Sequence, residues 1–73
     1  MTITVFDKPD CPQCAATIRR LDKRGIPYTV QSALDHLDEI KAAGFSAAPV
    51  IAVDGVLAWS GFRPDKIDAL LTS

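Results

Sequence analysis

The sequence predicts an α/β fold, a four-stranded mixed sheet covered by three helices in the order β-α-β-α-β-β-α. Short runs of β-branched and apolar residues alternate with segments of helical periodicity, which is typical of β-α-β units. Asp54-Gly55 is a strong hairpin signal, so the last two strands are expected to be antiparallel. The chain has 73 residues and is 48% hydrophobic, which is enough for one small core in a single domain over residues 1–73.

The first half of the chain is typical of a strand, a helix and a second strand. Asp10 is a candidate N-cap for the helix, and Gly25 is expected to end it. Cys14, Ile18 and Leu21 fall on one face at helical spacing. The expected elements are a strand over Thr2–Phe6, a turn over Asp7–Asp10, a helix from about Pro12 to Arg24 and a strand over Tyr28–Gln31.

The second half predicts a helix, a hairpin and a last helix. Gly61 is available for a positive φ in the loop after the hairpin, and Pro64 suits the first turn of the helix that follows. The expected elements are a helix with Leu34, Leu37 and Ile40 on its apolar face that stops at Gly44, a strand over Pro49–Val53, a strand over Val56–Trp59, a loop over Ser60–Arg63 and a helix that carries Ile67, Leu70 and Leu71.

Charge and hydropathy exclude several classes of protein. Eight Lys and Arg against nine Asp and Glu give a net charge of −1, which argues against a nucleic-acid binder. Arg19, Arg20, Lys23 and Arg24 crowd the end of the first predicted helix, where they complement its dipole. No apolar run approaches the ~18 residues that span a bilayer, and the N-terminus does not resemble a secretion signal. A cytoplasmic protein without a membrane partner is therefore expected.

Cys11 and Cys14 are the only cysteines, and they form a Cys-x-x-Cys at the start of the first predicted helix. Such a pair beside a β-α-β pattern indicates a thioredoxin-like redox motif. The helix N-terminus favours the thiolate of Cys11, which predicts that Cys11 is the nucleophile. Cys14, one turn later, is the expected resolving thiol, and Lys8 can add a positive field.

Metal binding is the sharpest alternative for this motif. A structural zinc site needs four ligands, whereas the chain offers two cysteines and one histidine, His36. His36 is interpreted as a solvated residue of the second helix, so no metal site is predicted within one chain. A metal or cluster shared by two copies, and an interaction domain with incidental cysteines, remain alternatives.

Pro49 is the second informative residue, because a proline at a strand entry cannot donate to the sheet. Most X-Pro bonds in folded proteins are trans. With the Cys-x-x-Cys upstream, however, we expect a cis Pro49 that faces the cysteines. The Ala48 backbone would then turn outward to pair with an extended substrate segment.

Three stretches together resemble the NrdH-redoxins: Lys8-Pro9-x-Cys11-x-Gln13-Cys14, Ala48-Pro49-Val50 and Trp59-Ser60-Gly61-Phe62-Arg63-Pro64-Asp65. The resemblance covers essentially the whole chain. It implies a thioredoxin/glutaredoxin-like fold, a Cys11–Cys14 redox pair and a cis Pro49. It also implies a monomeric electron donor to the large subunit of class Ib ribonucleotide reductase that thioredoxin reductase reduces. No cofactor would be bound, because NADPH and FAD act only through the partner reductase.

The resemblance has one departure, at Pro12, because Cys-Pro-x-Cys is the glutaredoxin form and raises the prospect of glutathione use. Glutaredoxins, however, commonly carry Gly-Gly and an acidic pair after the fourth strand. Here the bulky Phe62 and Arg63 resemble the network of the NrdH-redoxins that disfavours glutathione. Trp59 and Phe62 have either a docking role or plain core packing. The residues expected to contact substrate or partner are Lys8, Pro12, Gln13, Ala48, Pro49, Trp59, Ser60, Gly61, Phe62, Arg63 and Asp65.

Overall fold

The computed structural model describes residues 1–71 as a four-stranded sheet in the order β2-β1-β3-β4 with helices on both faces. No helix in this part of the chain is long and apolar enough to cross a membrane. The elements are β1 (Ile3–Asp7), α1 (Pro12–Lys23), β2 (Thr29–Ser32), a 3₁₀ segment (Ala33–His36), α2 (Leu37–Ala42), β3 (Val50–Val53), β4 (Val56–Ser60) and α3 (Pro64–Ala69).

The β1-α1-β2 unit confirms the predicted parallel start. β1 and β2 are parallel neighbours, with Thr4 opposite Thr29. Gly25 follows α1 with a φ of +69°, and its N–H donates to the carbonyl of Asp22, so the predicted helix stop is confirmed. Two details of the prediction were wrong. β2 begins one residue after Tyr28, and Cys11 rather than Asp10 caps α1.

The second helical region differs from the prediction of one amphipathic helix. It begins with the 3₁₀ segment, and only six residues of α helix follow. Three residues per turn in the 3₁₀ segment change which side chains share a face. Ala33 and Ile40 are therefore buried, whereas Leu34 is 58% and Leu37 42% exposed. The prediction that Leu34 and Leu37 join the apolar face with Ile40 was wrong.

The hairpin β3–β4 contains a β-bulge that the sequence pattern did not predict. Ile51 pairs with Trp59 but Ala52 pairs with Leu57, so Ala58 is an extra residue on β4. A bulge of this kind reverses the alternation of side chains along a strand. Trp59 and Leu57 consequently face opposite sides of the sheet.

Two apolar clusters lie on opposite faces of the sheet. The first joins β1, β3 and β4 to α1 and α3, and the second joins the sheet to the 3₁₀ segment and α2. Within α3 only Ile67 is fully buried, and Leu71 lies exposed beyond the end of the helix, in contrast to the prediction. The first cluster consists of Ile3, Val5, Leu21, Ile26, Ile51, Trp59 and Ile67; the second consists of Phe6, Ala33, Ile40, Val50 and Ala52.

Candidate active site

A disulfide between Cys11 and Cys14 lies at the N-terminus of α1. The two Cα atoms are 5.2 Å apart, a separation that a disulfide spans without backbone movement. Pro12 takes a first-turn position, where a missing N–H costs no helical hydrogen bond. The local sequence thus builds a helix start in which both sulfurs fall within bonding distance.

The two sulfurs have different environments. Cys11 is the N-cap of α1, and its Sγ accepts a hydrogen bond from the backbone N–H of Cys14 at 3.1 Å. Cys11 is half-buried, whereas Cys14 is only 3% exposed. An incoming disulfide can therefore reach Cys11, and the N–H that contacts its Sγ favours a negative charge on that sulfur. Cys14 is screened from solvent and suited to the second, internal step.

Pro49 lies at the entry to β3, with a cis peptide bond after Ala48, as predicted. Pro49 is buried, and its carbonyl accepts a 2.8 Å hydrogen bond from the N–H of Gly61. Gly61 has a φ of +83°, which confirms the positive φ expected for the loop after β4. This hydrogen bond joins the Ala48-Pro49 segment to the loop that carries Phe62 and Arg63.

Gln13 connects the cysteine helix to the same loop. A Cβ atom built on Gly61 would lie 3.5 Å from Oε1 of Gln13, so the Gln13 side chain lies against this glycine. Gln13 itself is exposed, as is Pro12. Gln13 and Gly61 therefore lie side by side close to Cys11, and the buried Pro49 is hydrogen-bonded to the same glycine.

Trp59 and Phe62 have different positions, although the prediction treated them together. Trp59 is 8% exposed within the cluster under α1 and α3, and its indole nitrogen is buried without a hydrogen-bond partner among residues 1–71. Its side chain packs in the core and presents almost no surface to a partner. Phe62 is exposed and lines a groove against α1, so its docking role stays a prediction. Ser60, between Trp59 and Gly61, is the half-buried last residue of β4.

Arg63 and Asp65 form an ion pair at the start of α3. Nε and Nη2 of Arg63 donate to the two carboxylate oxygens of Asp65 at 3.2 and 3.1 Å. This contact is the main reason that the pKa of Asp65 is lower than that of an ordinary aspartate. Both oxygens of the carboxylate are thus engaged within the chain.

Lys8 and Ala48 line an apolar cavity of about 190 Å³ against α2. The exposed Leu34 and Leu37 form part of its wall, together with the half-buried Phe45. The sequence prediction missed this cavity, because it assigned both leucines to the core. The expected positive field of Lys8 at Cys11 stays a prediction.

Thr17 was also missed as a residue that supports the site. It is fully buried, and its hydroxyl donates to the carbonyl of Gln13 at 2.9 Å, within the first turns of α1. Its position three residues after Cys14 was the available signal, since residues three apart share a helix face.

The alternative of a metal site requires several metal-ligating side chains close together. No three His, Cys, Asp or Glu side chains within residues 1–71 are grouped so that they could hold a metal ion. The prediction that His36 is a solvated residue was wrong. It is half-buried, with its ring 5.0 Å from that of Phe6 in an edge-on contact. Its Nδ1 lies 3.4 Å from Oε1 of Glu39.

The sheet, the redox pair at a helix start and the cis proline at the entry to β3 define a thiol–disulfide oxidoreductase with a thioredoxin-like fold. Comparison with known proteins agrees. The glutaredoxin family matches residues 3–58. A glutaredoxin-like protein NrdH of Salmonella typhimurium is 41% identical over 73 residues, covering 96% of this chain and 89% of its own length. The chain belongs to the glutaredoxin family and, within it, to the NrdH-type glutaredoxin-like proteins.

Solved structures and a phage relative extend the comparison. The NrdH-redoxin of Escherichia coli, a glutaredoxin-like protein described as having a thioredoxin-like activity profile, superimposes with a TM-score of 0.87 at 36% identity. That match covers 96% of this chain and 95% of the other. The gene 56 protein of Mycobacterium phage D29 is 31% identical, over 94% of this chain and 81% of its own length.

Proposed function

We propose that this protein is a disulfide reductase that supplies electrons to class Ib ribonucleotide reductase and is itself reduced by thioredoxin reductase. The observation that carries the proposal is the unequal exposure of the two sulfurs, with Cys11 accessible and Cys14 buried one turn away. The NrdH relatives and the thioredoxin-like activity profile of the Escherichia coli NrdH-redoxin support a redox role, and the two partners are those that the resemblance to the NrdH-redoxins implies.

The reaction needs only the two thiols. In the reduced protein the Cys11 thiolate attacks one sulfur of the substrate disulfide, forms a mixed disulfide and releases the other substrate sulfur as a thiolate. The Cys14 thiol loses its proton, which goes to a released substrate thiolate, and attacks Sγ of Cys11. The Cys11–Cys14 disulfide forms as the bond between Cys11 and the substrate breaks. The substrate leaves, after gaining two electrons, with one thiol and one thiolate, and the thiolate takes a proton from solvent. Two electrons from NADPH, delivered through the reductase, restore the thiols.

The surface beside the disulfide suits a substrate in extended conformation. Pro49 is buried, while Ala48 is half-buried and lines the apolar cavity on the α2 side. A substrate strand that pairs with the Ala48 backbone can place an apolar side chain in that cavity. Lys8, at the same cavity, is available to a substrate carboxylate.

The Arg63–Asp65 pair supports thioredoxin reductase over glutathione as the source of electrons. Both oxygens of the Asp65 carboxylate already accept hydrogen bonds from Arg63. An ammonium group of glutathione would have to compete with this guanidinium for the same oxygens. The carboxylate is therefore a poor site for the glutathione amine.

The experiment compares two reducing systems with one neutral disulfide substrate, hydroxyethyl disulfide. NADPH oxidation is followed with thioredoxin reductase and, separately, with glutathione and glutathione reductase. We expect turnover in the first system and little in the second. Turnover only with glutathione would contradict the proposal and make the protein a glutathione-dependent glutaredoxin, as the Cys-Pro-x-Cys motif would then indicate.

Variants of the two cysteines test the order of events. Cys11→Ser is expected to lower NADPH oxidation to the rate measured without the protein, because the nucleophile is gone. Cys14→Ser is expected to retain the first step and accumulate a mixed disulfide, which mass spectrometry detects as a covalent adduct on Cys11. Full turnover by Cys11→Ser, or an adduct on Cys14 in that variant, would contradict the assigned roles.

The proposed physiological role is tested with class Ib ribonucleotide reductase itself. Deoxyribonucleotide formation is expected to depend on this protein, thioredoxin reductase and NADPH together. Failure of this dependence, with hydroxyethyl disulfide still reduced, would leave a disulfide reductase with another target. We propose that residues 1–73 act as one redoxin domain, as a monomer in the reducing cytoplasm, without a bound cofactor or metal.

A further inference from the structure

The groove between α1 and the loop after β4 is cationic and aromatic. It has a volume of about 400 Å³ and is lined by Ala16, Arg19, Arg20, Lys23 and Phe62. We infer that this groove binds an acidic segment of the protein whose disulfide Cys11 reduces, with an apolar side chain of that segment against Phe62. The inference rests on the disulfide reductase activity proposed above and names the chemistry of its protein substrate.

The charges of the groove are unequally satisfied. Arg20 is paired with Asp68 of α3, its Nε donating to Oδ1 at 3.1 Å. Arg19 and Lys23, by contrast, form no ion pair within residues 1–71. Two exposed cations on one wall of a groove are therefore available to an external carboxylate.

The carboxylates of the neighbouring helices are already engaged. Asp68 lies between the guanidinium groups of Arg20 and Arg24, and this contact lowers its pKa. Asp65 accepts two hydrogen bonds from Arg63. Asp22 lies beside the hydroxyl of Tyr28, whose pKa it raises. No acidic group of α1 or α3 forms an ion pair with Arg19 or Lys23, although the whole chain carries a net charge of −1.

The groove continues the surface around the disulfide. Phe62 follows Gly61, which lies against the side chain of Gln13, and Gln13 is two residues after Cys11. With a helical rise of about 1.5 Å per residue, Arg19 lies about 12 Å and Lys23 about 18 Å along α1 from Cys11. An extended chain covers about 3.4 Å per residue. The groove can therefore reach side chains about three to five residues from the attacked cysteine.

This spacing predicts where the acidic and apolar residues of the bound segment lie relative to its cysteine. Acidic residues at those positions would lie opposite Arg19 and Lys23, and an apolar residue between them and the cysteine would meet Phe62. Such pairs at an exposed surface add little affinity individually, but they steer encounter and set the orientation of the partner.

Synthetic disulfide peptides test the inference without a reductase or ribonucleotide reductase. Each peptide contains one Cys-x-x-Cys disulfide, a leucine and then four glutamates, four glutamines or four lysines. The protein is first reduced with dithiothreitol, which is removed, and the single-turnover rate of peptide reduction is measured. At low salt we expect the glutamate peptide to react about tenfold faster than the glutamine peptide, and the lysine peptide to react slowest. In 1 M salt the advantage should vanish, since the Debye length is then about 3 Å.

Variants of the groove decide where the acidic peptide binds. Arg19→Glu with Lys23→Glu should abolish the advantage of the glutamate peptide. The milder Arg19→Gln with Lys23→Gln should reduce the advantage severalfold, and it replaces the first pair if that pair folds poorly. A further glutamate peptide carries glycine in place of the leucine, and Phe62→Ala should remove the rate advantage of the leucine peptide over this glycine peptide. Lys66→Glu, at an exposed residue of α3 outside the groove lining, changes the net charge as much as the glutamine pair does, serves as the control and should retain the advantage.

Two results would overturn the inference. The first is an advantage that survives both double substitutions at Arg19 and Lys23. The second is a loss in Lys66→Glu equal to that in the glutamine pair, which would indicate that net charge alone is responsible. Failure of the proposed function gives a different result, because the unsubstituted reduced protein would then leave all the peptides oxidised.

Discussion

The two faces of the sheet differ in how completely their helices cover them. On one face α1, a helix of 12 residues, and α3 enclose a cluster in which Leu21 and Ile67 are fully buried. On the other face the 3₁₀ segment and the six-residue α2 cover a smaller cluster, and leave Leu34 and Leu37 exposed. The covered face holds the cysteine helix, whereas the other face leaves apolar surface beside Ala48.

This difference separates two requirements of a small redox protein. The helix that positions Cys11 must be fixed, and burial of Leu21 and Thr17 along α1 provides that. The protein substrate proposed above would also need accessible surface, and exposed apolar groups are typical of such interaction sites. A chain of this size has too few residues to bury both faces equally.

Truncation of one side chain on each face of the sheet tests the difference in packing, and the change on the α1–α3 face is expected to have the largest effect on stability. Ile67→Ala removes a side chain that is 0% exposed and should lower the free energy of unfolding by about 3 kcal/mol. Leu37→Ala, a truncation of similar size on the other face, should cost less than about 1 kcal/mol. Urea unfolding of both variants measures the difference. Equal losses would mean that the second face is packed as tightly as the first.

A smaller loss of stability is expected from substitution of two glycines with positive φ, Gly61 after β4 and Gly44 after α2. Gly61→Ala places a side chain at a φ of +83°, which should cost about 1 kcal/mol of stability. Its Cβ would meet Oε1 of Gln13 at 3.5 Å, an ordinary contact, so the backbone conformation should account for the loss. Gly44→Ala, at a φ of +88° with no atom within 4 Å of its Cβ, is the matched control. A loss at Gly61 more than twice that at Gly44 would reveal a packing constraint at the site.

The smallest effect comes from the ion pair that ties α1 to α3. Arg20 lowers the pKa of Asp68 through its hydrogen bond, with Arg24 assisting. A lowered pKa in the folded state stabilises the protein above the ordinary value of 3.8, and the contribution is lost as the pH falls through the lowered value. Asp68→Asn should therefore be slightly less stable than the unsubstituted protein at pH 7, with a difference that shrinks below about pH 3.8.

Urea unfolding at pH 7, 5 and 3 measures this difference. Glu39→Gln on α2 is the control on the other face, because the Glu39 carboxylate contacts only the neighbouring His36 within its own helical region. A stability difference for Asp68→Asn that grows toward pH 3 would contradict the assigned sign. An equal effect of Glu39→Gln would show that the pair between α1 and α3 has no special role.

Patterns over neighbouring residues predicted most of the site. The Cys-x-x-Cys, the capping glycine after α1 and the Asp54-Gly55 turn act within a few residues, so their structural consequences follow from the chain itself. The cis bond at Pro49 was expected from its combination with the cysteines. The cap of α1 was assigned one residue early, because a cysteine is an unusual N-cap and Asp10 has the more familiar side chain.

Residues whose surroundings depend on distant parts of the chain could not be predicted in the same way. The helical spacing of Leu34, Leu37 and Ile40 was real, but a 3₁₀ segment changed which of them met the sheet. The extra residue at Ala58 sent Trp59 into the core, while a regular strand would have put it on the face of Leu57.

The sequence by itself determined the element order and the redox pair at the start of α1, because these depend on local spacing and on the end of one helix. Only the tertiary structure decided which apolar residues stay exposed and that both oxygens of Asp65 accept hydrogen bonds from Arg63. It also decided that Phe62 shares one groove with Arg19 and Lys23, which form no ion pair in the described part of the chain. These outcomes depend on the register of β4 and on the packing of α3 against α1. Both join residues far apart in the chain, and no local pattern encodes them.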